Sequence, residues 1–274
     1  MNPVRSSQNN NFFRDGGNIK TSDGVNEKCS IIVSSCDNFS DLWDPFFKLF
    51  FKYWPDCPFK IYLISETKYY NHPKVSIISL GKDYEWASNL KIAIKQAGTP
   101  YFVYLQEDYL LQSKVDTQRI LRLLDVVIKN NAAYLRLRPT PPPQNKFKDS
   151  KEVGEVVKGT RYSISNQAAI RDSRFFLNFL RDGETGWDTE LKGSLRCVSE
   201  SQPFLSVYKA ALDYPQATAI KKGTWMYDDV KLCKKEGIAI DMKKRKIETA
   251  VHYYLRVTGL LSIIDRLNLR LFSK

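Results

Sequence analysis

The stretch TPYFVYLQEDYLL, residues 99–111, joins an apolar, strand-like run to two adjacent acids. Residues 101–106 are aromatic and aliphatic up to the final glutamine, which predicts a buried strand. Glu107 and Asp108 follow at once, and apolar side chains return directly after them. Because a buried charge is costly unless it is paired or bound to a cation, these acids indicate either a solvated turn or a cation site.

Strand-like and helix-like segments alternate around this stretch. We predict strands at 29–35, 60–65, 75–80, 101–106 and 132–138, and helices at 41–54, 84–97 and 115–131, the last capped by Asp116 or Thr117. This alternation predicts an α/β fold with a mainly parallel central sheet and flanking helices. In such sheets ligands bind beyond the carboxyl ends of the strands, which is where Glu107 and Asp108 lie.

The second half of the chain has a mixed pattern. Four prolines in residues 139–150 predict an irregular loop, because proline lacks an amide donor and restricts its neighbours. Beyond that loop we predict short strands at 155–159, 161–165 and 203–210, and helices at 172–182 and about 187–197.

Composition narrows the class of protein. The hydrophobic content is 43%, which excludes a largely disordered chain. The 42 Lys and Arg outnumber the 30 Asp and Glu, and the net charge of +12 favours an anionic partner. The 5 Cys include no Cys-x-x-Cys pair, which favours a reducing compartment over a disulfide framework or zinc knuckle. Residues 1–28 are polar and predict a flexible tail rather than a signal peptide.

Three blocks resemble nucleotide-sugar glycosyltransferases of the GT-A fold. The block EWASNLKIAIKQAGTPYFVYLQED, residues 85–108, resembles the donor-binding half, whose strand ends in Asp-x-Asp or a variant such as Glu-Asp-Asp. Residues 31–66 resemble the first nucleotide-binding unit of that family, and residues 166–194 the acceptor-side segment of its bacterial polysaccharide members. The resemblance implies a GT-A-like, Rossmann-like domain over about 29–250, with a donor half at 29–138 and an acceptor half at 151–250.

The resemblance also implies a function. The protein would move a sugar from a nucleoside-diphosphate sugar to a glycan or lipid-linked glycan acceptor of a bacterial surface polysaccharide. The donor-binding residues that it implies are Ser35 and Asp37 at the nucleoside, with Asn89, Glu107 and Asp108 at the rest of the donor.

A Mn²⁺ or Mg²⁺ ion on Asp108 would be the cofactor that the resemblance implies. The motif here reads Gln106-Glu107-Asp108, so the first acid of Asp-x-Asp is missing. Some members of this fold use basic side chains in place of the metal, and metal dependence stays open.

Asp188 and Glu190 form a second acid pair, in GWDTELKG. Acids at a helix start are favoured by the helix dipole alone. The resemblance places in this segment the general base of an inverting transfer, which would take the proton from the acceptor hydroxyl. We favour Glu190 over Asp188 for that role.

Residues 251–274 predict a basic amphipathic helix, with Arg266, Arg270 and Lys274 beside an apolar face. It suits an anionic membrane surface, or else packs on its own domain. The expected location is the cytoplasm, where this helix would attach the protein to the inner face of the cell membrane if it binds lipid. The rival class is a non-catalytic basic protein that binds nucleic acid or an anionic membrane, although we find no nucleic-acid-binding motif and predict no nucleic-acid partner for the enzyme.

Overall fold

A computed structural model describes residues 24, 27–215 and 218–260 of the 274-residue chain. The strands are β1 (Cys29–Ser34), β2 (Lys60–Ser65), β3 (Val75–Ser79), β4 (Tyr101–Gln106), β5 (Tyr134–Arg136), β6 (Asn145–Lys146), β7 (Val153–Glu155), β8 (Ala169–Asp172), β9 (Phe204–Val207), β10 (Ile220–Lys221) and β11 (Thr224–Trp225). The helices are α1 (Trp43–Tyr53), α2 (Trp86–Ala97), α3 (Thr117–Lys129), α4 (Ser173–Phe179), α5 (186–196), α6 (Tyr227–Lys235) and α7 (Ala250–Val257).

Nine strands form one sheet in the order β3-β2-β1-β4-β8-β5-β9-β7-β6. The first four strands of this order are mutually parallel, and antiparallel pairs begin where β8 joins β4. The predicted fold class is therefore confirmed: a parallel first half continues into a mixed second half. In the register of β1 and β4, Ser34 lies opposite Gln106, so Ser35 and Glu107 leave the sheet side by side.

Helices cover both faces of the sheet because alternate side chains of each strand point to opposite faces. Ile31 and Val33 belong to a core cluster that includes side chains of α1 and α3. Ile32, between them, belongs to a second cluster formed with α2 and α4. Asp116 caps α3 as predicted, its carboxylate accepting from the amide of Arg119 at 3.0 Å.

The second half departs from the prediction at several places. Of the predicted strand 155–159, only Glu155 lies in a strand, β7. Residues 161–165 form turns instead of a strand, and Tyr162 has a φ of 61°, which a strand excludes. The loop 139–150 includes strand β6, because the last proline is at 143 and the later amides are free to pair with β7. Strand β8 was not predicted, since Arg171 and Asp172 interrupt its apolar pattern. The helix expected at 172–182 is α4, which begins one residue later with Asp172 as its cap.

Helix α5 is irregular, and α6 was not predicted. A π turn over Thr189–Gly193 interrupts α5 at the segment that carries Glu190. Of the predicted helix 251–274, residues 261–274 with Arg266, Arg270 and Lys274 lie outside the described residues, as does nearly all of the predicted tail. Within the described ranges, no helix has both the length and the apolar character needed to span a bilayer.

Candidate active site

Glu107 and Asp108 are buried, with only 7% and 8% of each residue exposed. Both lie in the turn that ends β4, where the amide of Tyr109 donates to the carbonyl of Gln106 at 3.1 Å. A solvated turn would leave these carboxylates in water, so their burial excludes that interpretation. The two acids form a buried acidic site at the carboxyl end of the parallel strands.

Glu107 faces the end of β1. Burial and the neighbouring charge of Asp108 raise its pKa well above the ordinary value, while a hydrogen bond with Ser35 acts in the opposite direction. The Ser35 hydroxyl also accepts from the indole nitrogen of Trp43 at 2.7 Å. Ser35 therefore lies beside the acid pair, and its contact with a nucleoside stays a prediction.

Asp108 contacts the segment that begins at Thr218. The hydroxyl of Thr218 donates to Oδ2 of Asp108, and the amide of Ala219 donates to its carbonyl at 3.0 Å. Oδ1 is buried and has no hydrogen-bond partner among the described residues. Burial raises the pKa of Asp108 to about 6 despite these bonds.

A third acid, Asp229, comes from α6 and is 1% exposed. Burial, followed by the charge of Asp108, raises its pKa to about 8. Its Oδ2 also lacks a partner within the part of the chain that the structure describes. Sequence reasoning missed Asp229, because an aspartate in the first turn of a helix is ordinary and its proximity to Asp108 is a long-range contact.

These acids fit a hard cation only with help from other ligands. Asp108 and Asp229 each offer a buried oxygen without a partner in the described chain. No group of three or more His, Cys, Asp or Glu within the described ranges could hold a metal ion. Mg²⁺ and Mn²⁺ sites commonly combine one or two carboxylates with substrate phosphates and water, and this arrangement fits that kind of site.

Arg245 supplies a positive charge near the acids. Its guanidinium donates to Asp41 through Nε at 2.7 Å, and the residue is 7% exposed. Its charge lowers the pKa of both Glu107 and Asp108, although burial dominates each value. Residues 234–246 are rich in Lys and Arg, and Arg245 of this run is a buried cation near the acids.

Asp37 and Asn89 are already engaged in hydrogen bonds within the protein. The Asp37 carboxylate accepts from the amides of Thr67 and Lys68 at 3.1 Å each, which ties the loop after β1 to the loop after β2. The side chain of Asn89 accepts from the amide of Tyr84 at 3.0 Å and donates to Asp83 at 2.7 Å. Their donor-binding roles remain predictions; the contacts observed for both organise loops.

Glu66 is a further acid at this edge, and the sequence reasoning did not select it. It follows β2 directly, and its Oε2 accepts from the amide of Asp37. Its Oε1 is buried without a partner among the residues described, and burial raises its pKa. Its position after β2 is the same signal that identified Glu107 after β4.

Glu190 is linked to the strand-end acids through Asn166. The amide of Asn166 donates to Oε1 of Glu190 at 2.6 Å, and the Asn166 carbonyl accepts from the hydroxyl of Tyr109, the residue after Asp108. Burial raises the pKa of Glu190, whereas the bond from Asn166 and the charges of nearby arginines lower it. A hydrogen-bonded path through Asn166 therefore leads from Glu190 to Tyr109, the residue after Asp108.

Asp188 has a different environment. Its carboxylate pairs with Lys192 at 2.8 Å and accepts from the Thr185 hydroxyl at 2.7 Å. It also accepts from the Thr185 amide at 3.2 Å, which closes a capping box at the start of α5. The bond from Lys192, followed by that from Thr185, lowers the pKa of Asp188 to about 2. Asp188 stabilises the helix start, and a carboxylate with so low a pKa is a weak base.

Replacing Asp229 by Asn should change how stability depends on pH. A carboxyl whose pKa rises from 3.8 in the unfolded chain to about 8 in the folded protein makes stability fall as pH increases between these values. The Asn variant lacks this titration, so its free energy of unfolding relative to wild type should rise by up to about 1.4 kcal/mol per pH unit. Urea unfolding of both proteins in EDTA at pH 5 and pH 8 measures this difference in unfolding free energy. The same difference at both pH values would contradict the prediction.

Comparison with known proteins gives structural similarity only. No protein-family model matches the chain, and no curated protein matches its sequence. Residues 1–349 of Staphylococcus aureus TarS in complex with UDP-GlcNAc are 14% identical, with a TM-score of 0.46 over 89% of this chain and 76% of that one. A Leptospira borgpetersenii cytidylyltransferase is 11% identical, with a TM-score of 0.36 over 60% and 68%. CMP:2-keto-3-deoxy-manno-octonic acid synthetase complexed with CTP is 9% identical, with a TM-score of 0.37 over 70% and 93%.

The fold and site define an α/β protein with buried acids at the carboxyl ends of its parallel strands. The solved structures similar to it include one in complex with UDP-GlcNAc, one complexed with CTP and a cytidylyltransferase.

Proposed function

We propose that this protein is a glycosyltransferase that moves a sugar from a nucleoside-diphosphate sugar to a glycan or lipid-linked glycan acceptor. The observation that carries the proposal is the pairing of two acidic sites. Glu107 and Asp108 are buried at the end of β4 beside Ser35, and Glu190 is joined to the following residue, Tyr109, through Asn166. One site suits a charged donor and the other a proton transfer.

On the donor side, Ser35 and Asp37 contact the nucleoside, and Asn89 the remainder of the donor. Asp108 would hold Mn²⁺ or Mg²⁺, with Glu107 beside it and Asp229 within electrostatic range. When bound, such an ion neutralises the charge that develops on the diphosphate leaving group. Arg245 adds positive charge near the same acids and so supplies part of the charge neutralisation that the metal ion would otherwise supply alone.

On the acceptor side, Glu190 acts as the general base. Its Oε1 accepts from Asn166, which leaves Oε2 for the proton of the acceptor hydroxyl. The acceptor oxygen then bonds to the anomeric carbon as the bond from that carbon to the diphosphate breaks, and the configuration inverts. Removal of the proton by a positioned carboxylate accelerates such a step.

The outer surface of α5 supports an acceptor with an apolar part. Trp187, Leu191 and Leu195 recur at intervals of four residues and are 69%, 41% and 70% exposed, and Val198 follows at 64%. An exposed apolar stripe that includes a tryptophan is typical of a contact with lipid or another apolar partner. We propose that this stripe contacts a lipid-linked acceptor at the inner face of the cell membrane, with the enzyme on the cytoplasmic side.

A nucleotide screen by thermal shift tests the proposed function. Ligand at 100 times its Kd stabilises the folded state by about 2.7 kcal/mol. For a domain of this size that stabilisation raises Tm by roughly 5–10 °C. We expect this increase for one of UDP, GDP and CMP, and a larger increase for the same nucleotide when Mn²⁺ is added.

The same screen separates the enzyme from the non-catalytic alternative. A basic binding protein would respond to heparin and to all three nucleotides through charge alone, and the response would disappear at 0.5 M salt. Stabilisation that is equal for the three nucleotides and lost in salt would contradict the proposed donor site.

A further inference from the structure

Arg171 lies on β8, the strand between the two halves of the sheet, and is fully buried. Its guanidinium stacks over the ring of Tyr104, 3.9 Å from the ring centroid. Among the described residues no carboxylate forms a salt bridge with it, and its Nε and Nη1 have no hydrogen-bond partner. A buried cation of this kind is costly unless nearby negative charge or an aromatic face compensates it.

The hydrogen bonds that Arg171 does form lead to Glu190. Nη2 donates to the carbonyl of Ser165 at 3.0 Å and to the side-chain oxygen of Asn166 at 3.4 Å. These contacts fix the peptide between Ser165 and Asn166, whose amide donates to Oε1 of Glu190 at 2.6 Å. Asn166 is held from a third side as well, because its Nδ2 donates to the carbonyl of Gly186 at 2.8 Å.

We infer that Arg171 is a positioning residue for Glu190: it fixes the amide that binds the carboxylate and directs a buried positive charge at it. This inference rests on the proposed role of Glu190 as the base. It assigns to β8, which the sequence did not predict, the task of supporting the acceptor-side carboxylate.

The other charged or titratable groups facing Glu190 are few in the described chain. Arg136 on β5 lowers its pKa less than Arg171 does, and the phenol of Tyr109 faces it from the end of β4. On the same helix, Asp188 and Lys192 pair with each other. Arg136 is further engaged with the carbonyls of Pro141 and Tyr162, so Arg171 is the cation directed at the Asn166 peptide.

The pKa of Glu190 in the full-length protein tests this inference without any assay of activity. NMR measures the chemical shift of the side-chain carboxyl carbon of labelled glutamate as a function of pH. The Glu190 signal is identified because it is missing from the Glu190→Gln spectrum. Arg171→Met removes the buried cation and should raise the Glu190 pKa by about one unit or more. Arg171→Lys keeps the charge and should shift it less, and Arg174→Met, which changes an exposed arginine on α4, should leave it unchanged.

Activity gives a second readout. If Glu190 is the base, the acid limb of the kcat/KM profile in Arg171→Met should move to higher pH by the same amount. If Glu190→Gln transfers sugar normally, the assignment of the base fails, yet the NMR titration still decides the role of Arg171. A folded Arg171→Met protein with an unshifted Glu190 pKa would overturn the inference.

A reciprocal measurement covers the case in which Arg171→Met does not fold. In wild type, the ¹⁵Nε signal of Arg171 should titrate with the pKa of Glu190, and in Glu190→Gln this transition should be absent. An Arg171 signal that stays constant through the Glu190 titration would show that the two groups are not coupled, and the inference would fall.

Discussion

Replacing Glu190 by Gln is expected to lower the rate of sugar transfer by roughly 10²- to 10⁴-fold while donor affinity stays the same. Glutamine keeps an oxygen that can accept from the Asn166 amide, so the local structure should persist. It cannot take a proton from the acceptor hydroxyl. Loss of a group that acts only in the transition state lowers the rate without weakening ground-state binding.

Asp188→Asn is the matched control for Glu190→Gln. Asp188 is two residues away on the same helix, but it pairs with Lys192 and closes the capping box. Its replacement should therefore affect the helix start and leave most of the transfer rate. Single-turnover rates and calorimetric donor affinities distinguish the two variants. A large rate loss in Asp188→Asn with normal turnover in Glu190→Gln would exchange the roles, and normal rates in both would place the base elsewhere.

Asp108→Asn is expected to abolish detectable transfer and to leave the fold intact. The change removes one negative charge from a buried site without changing the side-chain volume, and the Asn oxygen can still accept from Thr218. Because burial already disfavours the ionised form, the neutral side chain should not destabilise the protein. What is lost is the carboxylate that would hold a divalent cation against the donor diphosphate.

Mn²⁺ binding and turnover are measured together for this variant. Wild type should bind Mn²⁺ in the presence of the nucleotide that stabilises it, and Asp108→Asn should not. Asp116→Asn makes the same chemical change at the cap of α3, where asparagine also caps well, and it should behave as wild type. Near-normal turnover by Asp108→Asn would show that this site is not the donor site.

The parallel half of the fold was predictable because its signals are local. The strands at 60–65 and 101–106 have the predicted bounds, since apolar runs between turn residues mark both ends of a buried strand. The antiparallel insertion of β8 was not predictable. Its four residues include the charged Arg171 and Asp172, and the place of this strand in the sheet depends on partners on β4 and β5 that are distant in sequence.

The candidate site divides in the same way. The sequence by itself determined that two acids follow a core strand and that a second acid pair opens a later helix, because both are patterns of adjacent residues. Only the tertiary structure decided the burial and the hydrogen-bond partners of each acid. Asp188 is neutralised by Lys192 and Thr185, whereas Glu190, two residues later, faces Asn166 and buried arginines. The physical reason is that a carboxylate's pKa and free lone pairs depend on burial and on hydrogen-bond donors brought from distant segments, such as Thr218 to Asp108 across 110 residues.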